Sequence, residues 1–148
     1  MIKFKLDIKS KRLGIAGRLS NFTRRDFYFD GVLCRSIEGV LQGFKRESEG
    51  EQRIICGLWG SQAKLAGGDG WKSTQTLFWR GVASKRESPE YRALLERLYR
   101  TVYDQDERFR KDIERSKRYV LTHSIGSHDP RDSVLTEEEF LSLLLALQ

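Results

Sequence analysis

Residues 27–45 read FYFDGVLCRSIEGVLQGFK, and within this stretch the hydrophobic period changes from two to about 3.6. Phe27-Tyr28-Phe29 and Val32-Leu33 flank Asp30-Gly31, the dipeptide of a tight two-residue hairpin turn. Ser36 then stands as an N-cap, and Ile37, Val40, Leu41 and Phe44 recur at helical spacing behind it. A hairpin running straight into an amphipathic helix predicts an α+β fold.

The flanks extend this pattern. Residues 2–9, IKFKLDIK, alternate strictly, which predicts a strand with Ile2, Phe4, Leu6 and Ile8 inward and the lysines in water. Residues 10–25 read as a loop bearing glycines and arginines. A second helix is expected over 51–66, with Ile54, Ile55, Leu58, Trp59 and Leu65 on one side and Gly67-Gly68 as its stop. Residues 67–71, GGDGW, read as a loop and 74–82 as a helix. Ser88-Pro89 opens a long helix with Tyr91, Leu94, Leu95, Leu98 and Val102 as its buried stripe. A short helix over about 106–116 and a strand at Tyr119-Val120-Leu121 follow. Thr136 and Glu139 make a capping box for the last helix. The whole reads as a single domain over 1–148, mostly helical, with a small sheet near the N-terminus.

With 148 residues, 39% hydrophobic and 11% aromatic, the chain supports a real core and does not read as disordered. No apolar run approaches the roughly 20 residues of a membrane span. The longest, 141–147, is interrupted by Ser142. The alternating N-terminus does not read as a signal peptide. Cys34 and Cys56 lie in no metal-type spacing and read as buried free thiols, which implies a cytoplasmic address. The net charge of +6 is uneven: residues 1–25 carry eight basic residues against Asp7 alone. A concentrated basic end suits a phosphate-bearing partner, or is simply a solvated surface.

Four groups of residues are candidates for chemistry. On the helix after the hairpin, Glu38, Gln42 and Lys45 fall four and seven positions apart and share one stripe. A carboxylate, an amide and an amine in line serve as general acid/base, orienting group and nucleophile or phosphate clamp, or form an ordinary polar face. Ser20-Asn21-Phe22 offers hydrogen bonds to a sugar or a base edge, or caps a local turn. In GGDGWK, residues 67–72, the glycines let backbone approach a phosphate and Trp71 offers a stacking face, though the spacing matches no P-loop. The loop His123-Ser124-Ile125-Gly126-Ser127-His128-Asp129-Pro130 holds two imidazoles and a carboxylate, without a third cluster of metal-ligand spacing, so no metal is expected. Asp129 there is a candidate sugar-binding or catalytic carboxylate. No GxSxG, catalytic Cys-His or HExxH signature occurs.

Taken in order, Ser20-Asn21-Phe22, the aromatic hairpin with Asp30-Gly31, Ile37-Glu38 with Gln42 and Lys45, Gly70-Trp71, and a late polar loop before the terminal helix resemble the NADAR superfamily from about residue 14 onward. That resemblance implies an N-glycosidase, without cofactor, acting on ADP-ribose-like or ribosyl-phosphate N-glycosides. It implies Glu38 as general acid/base and Lys45 as a Schiff-base nucleophile or phosphate contact. It further implies Gln42 orienting the ribose, Trp71 stacking on a base, Asn21 and Asp129 holding sugar hydroxyls, and Ser20, Phe22, His123 and Ser124 lining the substrate site. Three functions remain open on this reading. One is removal of ADP-ribose from ADP-ribosylated guanine in nucleic acid, reversing a toxin modification in an antitoxin or phage anti-defence role. The second is cleavage of a small ribosyl-phosphate substrate such as a riboflavin-pathway intermediate. The third is a non-catalytic ADP-ribose or NAD-binding module.

Overall fold

A computed structural model describes residues 2–148. The chain opens with β1 (Phe4–Asp7) and a one-turn α1 (Ile15–Arg18), followed by the hairpin β2 (Phe27–Phe29) and β3 (Val32–Cys34). Three helices come next: α2 (Ile37–Gly43), α3 (Glu49–Cys56) and α4 (Gly60–Ala66). A single turn α5 (Trp71–Thr74) leads into a second hairpin, β4 (Thr76–Trp79) and β5 (Val82–Lys85). The long α6 (Pro89–Gln105), α7 (Glu107–Ser116), β6 (Tyr119–Thr122) and α8 (Glu137–Leu147) complete the α+β fold.

α2 sits at the centre. Its N-cap Ser36 accepts from the Gly39 amide, and Ile37, Val40, Leu41, Gln42 and both glycines of the helix are buried. Enclosure on nearly every side requires those glycines. A Cβ at Gly39 would stand 2.8 Å from the Leu58 carbonyl and 2.9 Å from that of Ile55, so the chain of α3 could not lie against α2. On the other flank Phe29 stacks on Trp79 at 5.0 Å, and Phe44 meets Trp79 and Tyr91 edge-on. α6 buries its predicted stripe, and α8 contributes Phe140, Leu143, Leu144 and Leu147. The capping box of Thr136 and Glu139 is present, as is the Ser88 cap of α6.

Several expectations need correcting. The predicted helix over 51–66 is two helices, parted where Gly60 adopts φ 64°, and it leaves Ile54 and Leu65 exposed. The predicted helix at 74–82 is mostly the β4–β5 hairpin. Its turn residues Arg80 and Gly81 both take positive φ (48° and 83°), the same conformation as Asp30 and Gly31 (48° and 80°). β1 is shorter than the alternation suggests: Ile2 and Phe4 are exposed and Ile8 alone is fully buried. The sheet is also not confined to the N-terminus. β1 pairs in parallel with β6, Phe4 opposite Tyr119 through Asp7 opposite Thr122, and each hairpin forms its own two-stranded sheet. Both cysteines are free and buried.

The basic N-terminal segment is largely neutralised from within. Arg18 grips Asp112 of α7 with two hydrogen bonds of 2.8 and 2.9 Å, and buried Arg25 reaches Asp106 at 3.2 Å and the Arg18 carbonyl. Arg24 pairs with Asp26, and Lys9 and Arg12 with Asp7. Of the eight basic residues, Lys3, Lys5 and Lys11 alone form no ion pair among the described residues. No helix among the described residues is long and apolar enough to cross a membrane.

Candidate active site

Where α2 meets the segment 20–22, the helix α4 and the loop 123–136, a cleft of about 510 Å³ opens to the surface. That volume falls within the range of small-molecule and cofactor sites. Glu38 lies in its wall, and Gln42 Nε2, one helical turn on, donates to Glu38 Oε1 at 2.9 Å. Burial pushes the Glu38 carboxyl above the usual glutamate range; the Gln42 hydrogen bond and the charges of Lys45 and Lys64 pull the other way without overcoming it. Burial likewise pushes the Lys45 ammonium below its ordinary value, against the attraction of Glu38 and Asp69. Burial thus disfavours the charged form of each group, the condition under which a carboxyl and an amine exchange protons readily.

The segment 20–22 is built to hold α2. The Asn21 carbonyl accepts from the Glu38 amide at 3.0 Å, and its side-chain oxygen accepts from the Tyr99 hydroxyl at 2.7 Å. Asn21 itself lines the cleft. The Ser20 hydroxyl oxygen accepts from the Phe22 amide at 3.2 Å, closing the turn that presents the Phe22 ring. Gln42 is 5% exposed, and its Oε1 has no donor among the described residues. A buried acceptor without a partner is costly, and here it is a cost carried by the wall of the cleft. Gly67 makes this wall possible: a Cβ there would come within 2.4 Å of Gln42 Oε1 and 2.6 Å of Lys45 Cδ.

The opposite wall carries His123. Its Nδ1 lies 2.7 Å from the Ile8 carbonyl, which can only accept, so Nδ1 carries a proton and donates it there. Phe140 packs edge-on against the ring at 4.8 Å. The loop is anchored by Asp7, which accepts from the Ser124 amide (2.9 Å), the Ser124 hydroxyl (2.7 Å) and Thr122 (3.0 Å). The Ser124 amide leads the set of bonds that holds the Asp7 carboxyl well below the usual range.

Of the residues singled out in the sequence, Ser20, Asn21, Phe22, Glu38, Gln42, Lys45 and His123 all line this cleft. Three do not. Trp71 is 4% exposed in the hydrophobic core, because the turn α5 folds its ring inward, and it offers no stacking face. Ser124 is turned onto Asp7 rather than into the cleft. Asp129 is exposed outside the lining, accepting from the Arg131 amide at 2.9 Å in a local turn. Lys64, Asp69 and Asp132 line the cleft unforeseen. Asp69 falls within the glycine-rich stretch 67–72, whose reading picked out the backbone and Trp71 rather than this carboxylate, while Lys64 and Asp132 fall where no motif marks them.

Other groupings are closed or lie elsewhere. A larger groove of about 580 Å³ between the hairpins and α6 holds Asp30, but that carboxylate is already bound by Arg97 and the Trp79 indole. On the outer surface the ring nitrogens of His128 face Glu137 (3.2 Å) and Glu138, ligand-type atoms that all lie within 4.8 Å. The Glu138 hydrogen bond raises the His128 pKa.

The arrangement defines an α+β protein with an acid-bearing cleft assembled around one central helix. Residues 14–148 match the family described as bacteriophage protein GP30.3, and the chain belongs to that family. It is 38% identical over 146 residues to an "uncharacterized 17.1 kDa protein in Gp30-rIII intergenic region" of enterobacteria phage T4, covering 97% of this chain and 96% of that one. No solved structure matches. This membership overturns the resemblance to the NADAR superfamily: the family matched is another one, and Trp71, on which the resemblance leaned, and Asp129, to which it gave a role, stand outside the cleft.

Proposed function

We propose that the protein is an N-glycosidase that removes ADP-ribose from ADP-ribosylated guanine in nucleic acid, on the strength of the cleft alone. The carrying observation is Glu38: a carboxyl raised in pKa by burial, oriented by Gln42, in an open cleft with two lysines. In this reaction Glu38 as carboxylate takes a proton from water while the water oxygen bonds to C1′ of the ribose. The C1′–N bond breaks with its electron pair on the base nitrogen, and the proton on Glu38 passes to that nitrogen. Water is consumed, the free sugar and the restored base are the products, and Glu38 ends as it began. Lys64 and Lys45 suit the diphosphate, the lowered pKa of Lys45 also suits a Schiff base with a ribose aldehyde, and Gln42 and Asn21 in the cleft wall suit the ribose. Such a role places the protein in the cytoplasm, opposing a toxin that modifies nucleic acid, which accords with membership of a phage family.

A second reading gains from the internal pairing of Arg18 and Arg25, which takes charge away from the segment that argued for nucleic acid. On that reading the same residues cleave a small ribosyl-phosphate N-glycoside. The test incubates the protein and its Glu38→Gln variant with an oligonucleotide carrying ADP-ribosyl-guanine, and with the excised modified nucleoside, and follows free ADP-ribose by mass spectrometry. Release from the oligonucleotide by the wild type alone supports the proposal. Release from the nucleoside alone supports the small-molecule reading, and no release from either, with binding of ADP-ribose retained, leaves a binding module.

A further inference from the structure

We infer that the surface at the mouth of the cleft is a stacking platform for single-stranded nucleic acid, built from Trp59 and Phe22 with the cations that lie over them. Most of the chain's large rings are in the core, yet Trp59 is 40% exposed at the N-cap of α4, where its extended backbone (φ −146°, ψ 166°) holds it off the helix. The Arg24 guanidinium lies 4.5 Å from the centre of that ring. Beside it, the Lys64 ammonium stands 6.0 Å from the centre of the Phe22 ring. The two units are joined by backbone: the Gly60 amide donates to the Phe22 carbonyl at 3.1 Å. Phe22 and Lys64 also line the cleft that holds Glu38, so the platform is continuous with the site.

This pairing of ring and cation fits one kind of partner. A base stacks on an exposed ring or on a guanidinium plane laid over one, while the cationic charge takes the adjoining phosphate, so the combination tracks a strand without reading its sequence. Around the two rings the balance is positive. Asp26, which pairs with Arg24 at 3.6 Å, is itself shared with Arg35 at 2.7 Å, leaving that triad with one net positive charge, and Lys64 forms no ion pair among the described residues. A duplex would gain little here, because its base faces are already stacked on one another. The inference deepens the proposed reaction by naming the form of its substrate, but strand binding itself does not depend on any chemistry in the cleft.

The experiment is fluorescence anisotropy of the full chain with a short fluorescein-labelled oligodeoxynucleotide, single-stranded and annealed to its complement, over a salt series. The expected result is binding of the single strand that weakens with salt and exceeds duplex binding. Trp59→Ala should weaken it by about tenfold, the worth of one stacked base, while Trp59→Phe keeps most of the affinity. Thermal melts of both variants show whether the fold is kept, and Arg24→Gln, exposed and away from the core, should weaken binding in its own right. Equal affinity for duplex and single strand, no binding, or unchanged affinity in a folded Trp59→Ala each overturns the inference. Strand binding without release of ADP-ribose removes the reaction and keeps the platform; release from a free nucleoside without strand binding does the reverse.

Discussion

The carboxylate of Asp7, where β1 meets β6, accepts three hydrogen bonds from Ser124 and Thr122 and faces Lys9 at 3.3 Å. Glu38, in the wall of the cleft, accepts a single side-chain bond from Gln42 and is otherwise desolvated. The same chemical group is therefore settled as an anion in one place and pushed toward its acid form in the other. Hydrogen-bond supply against burial decides the sign. Asp7 contributes structure by being satisfied, and Glu38 is available for proton transfer because it is not.

The sharpest way to break this contrast is Glu38→Gln. We expect turnover to fall by about a thousandfold, within the range of general acid–base catalysis. The same change should raise the melting temperature at neutral pH. A carboxyl whose folded pKa lies above its unfolded value costs stability increasingly as pH rises through the folded value, so the gain should be larger at pH 8 than at pH 5. A variant that melts lower, or equally at both pH values, would show that Glu38 is not held in a desolvated state. Asp7→Asn should do the opposite, destabilising the protein by about 2 kcal/mol after allowance for its partial exposure. Because the Asp7 pKa is depressed on folding, that contribution is present above about pH 4 and fades as pH falls, so urea melts of wild type and variant should converge in acid.

Smaller changes sharpen the comparison. Gly67→Ala drives a methyl toward Gln42 and Lys45, and should cost about 1 kcal/mol and lower turnover through the displaced Gln42, with the melt of the variant separating the two effects. Ser124→Ala removes one of the bonds to Asp7 and should cost about 0.5 kcal/mol with turnover little changed. A loss of activity larger than its loss of stability would place Ser124 against substrate after all.

Much of the cleft was legible because it is local. Glu38, Gln42 and Lys45 share a face through helix periodicity, and Ser20-Asn21-Phe22 lies close by in the chain. The Asp30-Gly31 hairpin was legible for its dipeptide, whereas Arg80-Gly81 adopts the same turn with a residue that gives no such signal. There the geometry is supported from afar: the Arg80 amide meets Gln52 Oε1 at 3.3 Å and its guanidinium donates to the Asp30 carbonyl. Distance also hid the fate of Arg18, whose acid partner lies 94 positions away, so a segment that reads as a charged surface is half interior. Trp71 and Asp129 carry residue types suited to a ligand, but their side chains follow a buried turn and an exposed one that no spacing announces.

The pairing of β1 with β6 has a consequence in time. Thr122 and Asp7 are 115 positions apart, and bringing such distant segments together costs on the order of 4 kcal/mol of chain entropy before any contact returns it. The hairpins and the α6–α7 corner close over short spans and can form early, while this seam must wait for them. His123 reaches its wall of the cleft only when the seam is shut, since its ring is held by the Ile8 carbonyl. The proposed chemistry therefore depends on the finished seam, since a molecule with β1 and β6 unpaired lacks the His123 wall of the cleft.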